Sequence, residues 1–107
     1  MPLYMYQVSY TSEAWADLAK KPQDRAEAIK PAIRSLKGRL LSLYFAFGEH
    51  DVVVIAQMPD EESAAALSIA ASAGGAIKSI KTTALMTVPQ AMRAMRKARR
   101  TGYQPPA

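Results

Sequence analysis

Two apolar segments flank Gly48-Glu49 in residues 40–58, which read LLSLYFAFGEHDVVVIAQM. Both segments are rich in the β-branched and aromatic residues that strands favour. A two-residue connection that begins with glycine is typical of a type II′ β-hairpin. We therefore predict two antiparallel strands, over residues 40–47 and 50–58, that are joined by Gly48-Glu49.

The register of this hairpin assigns each residue to one face of the sheet, because successive side chains of a strand point to opposite faces. With Phe47 opposite His50, one face is nearly all apolar and carries Leu41, Leu43, Phe45, Phe47, His50, Val52, Val54 and Ala56. The second face is mixed and carries Leu40, Ser42, Tyr44, Ala46, Asp51, Val53, Ile55 and Gln57. We expect helices to cover the apolar face.

The mixed face is too apolar to be left in water, and Met5 and Gln7 of the first strand add to it. An exposed apolar patch of this kind usually marks an interface. We therefore predict a homodimer whose two sheets pack through this face and enclose a partly polar cavity.

Before the hairpin, the sequence predicts one strand and two helices. Residues 3–10 alternate as a half-buried strand does, and Thr11-Ser12 precedes a short helix from Glu13 to about Lys20. A second helix is predicted from about Asp24 to Lys37, with a kink or a restart at Pro31 and an end at Gly38.

After the hairpin, the sequence predicts a helix that begins at Asp60, a strand over 77–86 and a last helix capped by Thr87 and Gln90. In the last helix, Ala91, Met92, Met95 and Ala98 are predicted to face inward. The resulting order predicts an α+β, ferredoxin-like fold: a βαββαβ unit with a four-stranded antiparallel sheet, helices on one face and a C-terminal helix. We expect one domain over residues 1–100 and a flexible tail over 101–107.

The composition excludes several classes of site. The 107 residues include no cysteine and one histidine, which excludes a disulfide framework and metal sites built on cysteine or on several histidines. Gly74-Gly75 ends a helix, whereas the glycines of phosphate-binding loops follow a strand and begin a helix. We therefore expect no metal and no cofactor. The N-terminus has no signal peptide pattern and no segment is long enough to span a membrane, so we expect a cytoplasmic protein without a membrane partner.

The net charge of +5 is a local property of the C-terminal part of the chain. All nine acidic residues lie at or before Glu62, and residues 63–107 carry seven basic residues. Five of these form a basic patch, which consists of Arg93, Arg96, Lys97, Arg99 and Arg100. Such a patch binds phosphate backbones or is simply a solvated helix face. Because no aromatic residues are interleaved with it, we favour the solvated face and regard nucleic acid as the less favoured partner.

Glu49-His50-Asp51 is the only cluster of titratable residues whose placement suggests a site. Strand alternation directs His50 away from its two neighbours, so the three do not form a triad or a metal site locally. In a structural interpretation, His50 closes the edge of the core and Asp51 accepts hydrogen bonds. In a functional interpretation, Asp51 is a polar anchor for a ligand beside Tyr44, Ser42, Gln57 and Gln7, and Asp51 and His50 are the candidate catalytic residues. Tyr4, Tyr6, Tyr10 and Trp15 line either a pocket or, more simply, the core.

Four separated motifs resemble the GYD-domain family: YM with SYT at residues 4–11, FGEHDVV at 47–53, MPD at 58–60, and SAGGA with KTT at 72–83. The family's Gly-x-Tyr-Asp pattern is matched by Gly48 and Asp51, with His50 at the tyrosine position. The resemblance implies a ferredoxin-like fold of the dimeric α/β-barrel type. It does not identify catalytic residues.

Three functional hypotheses remain open. The first is a homodimeric small-ligand-binding or accessory protein. The second is an enzyme, similar to the cofactor-independent or heme-related monooxygenases of this fold, that acts on a small apolar substrate. The third is a protein that binds an anionic surface or nucleic acid through its basic C-terminal helix.

Overall fold

A computed structural model describes residues 1–106 as four strands and four helices. The strands are β1 (Leu3–Tyr10), β2 (Arg39–Phe45), β3 (Val52–Gln57) and β4 (Ile77–Leu85). The helices are α1 (Ser12–Lys20), α2 (Arg25–Ser35), α3 (Glu61–Ala73) and α4 (Val88–Arg99). None of these helices is long and apolar enough to cross a membrane.

The four strands form one antiparallel sheet in the order β2-β3-β1-β4. The two central strands are β3 and β1, which are separated in sequence by two helices and an edge strand. In the helical layer, α2 packs on β2, α3 packs on β4 and α1 lies against β1. This arrangement confirms the predicted ferredoxin-like α+β fold.

The side of the sheet that faces the helices, called the covered face here, holds the core. Burial alternates along both central strands, so that Tyr4, Tyr6 and Val8 of β1 are buried and their neighbours are partly exposed. Ile33 of α2 and Leu67 of α3 complete this core from above. The Tyr6 hydroxyl donates a hydrogen bond to the Ala64 carbonyl at 2.9 Å, and burial, with a smaller effect of Tyr4, raises the pKa of Tyr6 to about 12.

The helix beginnings agree with the sequence. Thr11, Asp24, Asp60 and Thr87 each occupy an N-cap position and accept a backbone N–H from the first turn. The Ser63 N–H and hydroxyl that face Asp60 lower the pKa of its carboxyl. Thr87 and Gln90 form the predicted capping box.

The end of α2 differs from the prediction that Gly38 stops the helix. The left-handed residue is Lys37, with φ of 65°, and the helix is continuous across Pro31 without a restart. Gly38 is required by close packing instead. A Cβ atom at this position would lie 2.5 Å from the Met58 sulfur and 2.7 Å from the Gln57 carbonyl oxygen.

The hairpin between β2 and β3 differs from the predicted hairpin in its loop and at one point in its register. Gly48 does not have the positive φ that a type II′ turn requires at this position. Because β2 ends at Phe45 and β3 begins at Val52, the connection is longer than two residues. The predicted pairing of Tyr44 with Val53 is present, but an irregularity between Leu40 and Ser42 places Leu40 opposite Ala56. Leu40 therefore packs on the covered face and not, as predicted, on the mixed face.

Helix α4 differs most from the prediction. Met92 is 45% exposed, Met95 is 66% exposed and no residue of the helix is buried. The apolar stripe that was predicted to face inward therefore has no partner among the described residues. The molecule extends over 58 × 34 × 22 Å, which is long for a chain of this size because α4 leads away from the sheet. Residues 101–106 contain no helix or strand, and Ala107 lies outside the described residues.

Candidate functional site

The side of the sheet opposite the helices, called the open face here, carries the predicted ligand-binding residues. The strand register arranges its side chains in three rows across the sheet. From β2 to β4, these rows are Tyr44-Val53-Gln7-Lys81, then Ser42-Ile55-Met5-Thr83, and then Arg39-Gln57-Leu3-Leu85.

Three apolar side chains form the centre of the open face. Met5 pairs directly with Ile55, and Val53 lies in the next row. All three are partly exposed, since no helix lies over them. The centre is therefore an apolar strip in which each residue keeps contact with water in the single chain.

Polar side chains surround this apolar strip. Ser42 and Tyr44 lie on edge strand β2, Gln7 lies on β1 and Gln57 lies at the end of β3. Tyr44 is 69% exposed, so most of its side chain is in contact with solvent. The register thus brings Ser42, Tyr44, Gln7 and Gln57 to one face of the sheet, and their contact with a ligand stays a prediction.

The Asp51 carboxylate is engaged within the chain. Its Oδ2 atom accepts the Tyr10 backbone N–H at 2.9 Å and the Trp15 indole N–H at 3.2 Å. These bonds tie the start of β3 to the end of β1 and to α1. The structure thus contains the structural interaction expected for Asp51, and its role as a ligand anchor stays a prediction.

His50 lies directly before Asp51 and is partly buried. Its Nδ1 atom is buried and has no hydrogen-bond partner among the described residues. The donors to the Asp51 carboxylate come from Tyr10 and Trp15, so the two candidate catalytic residues are not joined to each other through these bonds. Across residues 1–106, no three histidine, cysteine or acidic side chains come close enough to hold a metal ion.

The aromatic residues separate into two groups. Tyr4 and Tyr6 belong to the core, as the simpler interpretation predicted. Trp15 packs edge-on against Tyr10 with 5.4 Å between ring centroids, and it lies 6.2 Å from Phe45. The second group closes the end of the sheet around Asp51.

Three further polar residues of the open face were not among the predicted site residues, and one of them is Arg39 at the start of β2. Lys81 pairs with Gln7, and Thr83 pairs with Met5. Both lie on β4, where strand alternation could have placed them on this face. The register of β4 against β1, which is a tertiary contact, was needed to bring them into the same rows.

The residues of the predicted basic patch are all exposed and all lie on α4 or at its C-cap. They are Arg93, Arg96, Lys97, Arg99 and Arg100. Because α4 leads away from the sheet, this patch is separate in the fold from the polar residues of the open face.

Solved structures with the same fold include two proteins of low sequence identity. MtbAldR is 17% identical with a TM-score of 0.57, and the match covers 80% of this chain and 52% of that protein. A transcriptional regulator of Neisseria meningitidis, NMB0573, solved in complex with L-Met, is 15% identical with a TM-score of 0.51 over 81% of this chain and 51% of that protein. The chain thus spans about half the length of each, and at these identities the likeness shows the fold alone.

The sequence itself identifies the family. No curated protein sequence matches the chain. The GYD domain matches residues 4–95, which include the sheet except Leu3, the hairpin with Gly48 and Asp51, and most of α4. This match confirms the resemblance that the separated motifs indicated. The chain belongs to the GYD-domain family.

Proposed function

We propose that the protein is a homodimer that binds a small molecule between the open faces of its two sheets. The observation that carries this proposal is the apolar strip of Met5, Val53 and Ile55, which has polar residues on both sides and no helix over it. A two-fold axis through such a strip sets apolar atoms against apolar atoms. The polar side chains around the strip then line the space between the sheets.

The size of the open face indicates that a second element contributes to the dimer. Four strands of six to nine residues give a flat area of about 450 Å² at ordinary strand spacing and rise. A stable interface buries about 800 Å² on each partner. The sheet alone therefore supplies only part of the surface that a lasting dimer requires.

Helix α4 supplies the remaining surface in this proposal. Val88 is 73% exposed, and with Met92 and Met95 it forms an apolar stripe along one side of the helix. The stripe is exposed and has no covering element within residues 1–106. A second copy, held by the open faces, brings a surface against which this stripe becomes buried.

The ligand in this proposal combines an apolar body with polar groups. The apolar strip suits the body, and Ser42, Tyr44 and Gln57 suit hydrogen bonds at its rim. Gln7 and the free side of Asp51 add further acceptors. The neighbour from Neisseria meningitidis, which was solved with L-Met, supports a free amino acid as the first ligand class to examine.

The test is a calorimetric titration of the full chain with L-methionine and then with the other free amino acids. We expect binding with one class of amino acid and loss of that binding in Tyr44→Ala. The matched control is Tyr103→Ala, which changes an exposed tyrosine of the tail. Equal binding by both variants would contradict a site on the open face. If the protein bound none of the amino acids, the proposal that the ligand is a free amino acid would be wrong.

A second candidate function rests on α4 alone. Four basic residues of α4 and Arg100 at its C-cap are exposed. An anionic surface binds such a cluster of positive charge. Titration of duplex DNA at low and high salt tests this candidate. Salt-sensitive binding that is lost when Arg93 and Arg96 become glutamine would favour it, and no binding at low salt would end it.

A further inference from the structure

A cleft of about 370 Å³ lies on the covered side of the sheet, between α2 and α3. Its floor is formed by Tyr6 and Val8 of β1 and by Val52 and Val54 of β3. These residues belong to the two central strands, whereas the helices pack mainly over edge strands β2 and β4. The cleft is thus separated from the open face by the full thickness of the sheet.

Small side chains on the two helices explain why the cleft exists. Ala28 and Ala32 line it from α2, and Ala70 and Ala71 line it from α3. An alanine is too short to reach across the gap between two helices that lie on opposite edges of a sheet. Three of these alanines are exposed to water, so the cleft opens to the solvent between the helices.

One charged side chain lies on the lining of this otherwise apolar cleft. Arg25 is the first residue of α2 and is partly buried. Its guanidinium donates to the Gln23 amide oxygen at 2.8 Å, and the one ion pair found across residues 1–106 joins Lys30 to Glu27 instead. Neighbouring Asp24 is occupied as the N-cap of α2. Arg25 therefore has a positive charge and further donors without a carboxylate partner.

The other polar groups of the lining do not form hydrogen bonds with Arg25. The Tyr6 hydroxyl already donates to the Ala64 carbonyl. Tyr10, the last residue of β1, also lines the cleft, as does Arg25 at the start of α2. The N-terminus of α2 adds its partial positive charge beside Arg25. The cleft thus has a cationic end and an apolar interior.

We propose that this cleft binds a small monocarboxylic acid, with the carboxylate at Arg25 and an apolar body between α2 and α3. An arginine fork matches the two oxygens of a carboxylate. A volume of 370 Å³ corresponds to about a dozen water-sized groups, at about 30 Å³ for each. An acid of about ten heavy atoms, the size of octanoate, fits this volume.

Calorimetric titration of the full chain with octanoate and with octanol tests the proposal. The two probes have similar apolar bodies, and only octanoate carries a charge. We expect octanoate to bind more tightly than octanol, and Arg25→Gln to lower the octanoate affinity about ten- to hundred-fold without a change for octanol. Arg34→Gln, an exposed arginine of the same helix, is the control. Absence of octanoate binding, or equal binding by wild type and Arg25→Gln, would overturn the proposal.

A second variant tests the apolar part of the site. Ala71→Leu fills the cleft, so we expect it to abolish binding of both probes while the midpoint of thermal unfolding does not fall. Ala65→Leu, an exposed alanine of the same helix that does not line the cleft, is the matched control. Full octanoate binding by folded Ala71→Leu would also overturn the proposal.

The result is independent of the proposed site on the open face. Tyr44→Ala changes the opposite side of the sheet, and we expect it to bind octanoate as the wild type does. Loss of octanoate binding in Tyr44→Ala, with retention in Arg25→Gln, would place the acid on the open face and contradict this inference.

Discussion

The two faces of the sheet are built from the same strands, but helices bury one face and leave the other partly exposed. On β3, Val52, Val54 and Ala56 are buried under the helices, whereas Val53 and Ile55 between them remain partly exposed. The hydrophobic residues of the two sets are similar in size and type. The difference teaches that the sequence of a strand determines which residues share a face, and that the rest of the chain determines whether that face is covered.

We expect the greatest loss of stability when an apolar side chain that packs on the covered face is removed. Ile33 of α2 is fully buried, and we expect Ile33→Ala to lower the free energy of unfolding by about 2–5 kcal/mol. Ile69 of α3 is 68% exposed, and Ile69→Ala is expected to change it by less than about 0.5 kcal/mol. Urea denaturation of both variants measures the difference, and equal losses would contradict the assigned core.

A smaller effect is expected where α2 ends against β3. Gly38→Ala places a Cβ atom 2.7 Å from the Gln57 carbonyl oxygen, which is backbone and cannot rotate away. We expect a loss of about 1–3 kcal/mol in the free energy of unfolding. Gly48→Ala is the matched control, because nothing lies within 4 Å of its Cβ position. The packing described for Gly38 would be wrong if both variants unfolded at the same urea concentration.

The hydrogen bond from Tyr6 to the Ala64 carbonyl joins the covered face to α3. Tyr6→Phe leaves this carbonyl without its donor, and we expect a loss of about 1 kcal/mol in the free energy of unfolding. Tyr44→Phe removes an exposed hydroxyl from the other face and should leave monomer stability unchanged. Thermal denaturation compares the two, and an equal response would show that the Tyr6 bond contributes nothing.

A further effect appears only in alkaline solution. The pKa of Tyr6 is raised from 10.0 to about 12 in the folded chain, so the unfolded chain loses this proton first as the pH rises. The stabilisation is complete below pH 10 and is lost as the pH approaches 12. We expect urea midpoints to decline over this range in the wild type and to decline less in Tyr6→Phe. Identical declines would assign the effect to other groups.

Much of the fold could be predicted because alternation and capping are local. The pairing of Tyr44 with Val53 followed from the position of Gly48-Glu49 at the centre of the hairpin. The irregularity at Leu40 could not be predicted in the same way, because Leu40 and Leu41 are identical residues and either can face the core. Lys37 has the left-handed conformation that glycine usually adopts, and Gly38 is required instead by its close approach to Met58 and Gln57, which is a tertiary contact.

The candidate site was predictable only in part. Alternation was sufficient to place Ser42 and Gln57 on one face. The partners of Asp51 come from Tyr10 and Trp15, which are about 40 residues away in sequence, so only the tertiary structure reveals them. The apolar spacing of Met92 and Met95 predicted a stripe that faces inward, and this prediction was wrong for the single chain because both side chains are exposed. Spacing alone carries no information on whether the partner belongs to the same chain.

The central claim is that a second copy of the chain covers the open face. Sedimentation velocity of the full chain tests it most directly, with Ile55→Lys as the variant at the centre of the apolar strip. We expect a wild-type particle of twice the 11.6 kDa chain mass and a folded Ile55→Lys monomer with unchanged circular dichroism. A wild-type chain that remains monomeric up to millimolar concentration would contradict it, and so would an Ile55→Lys variant that dimerises as tightly as the wild type.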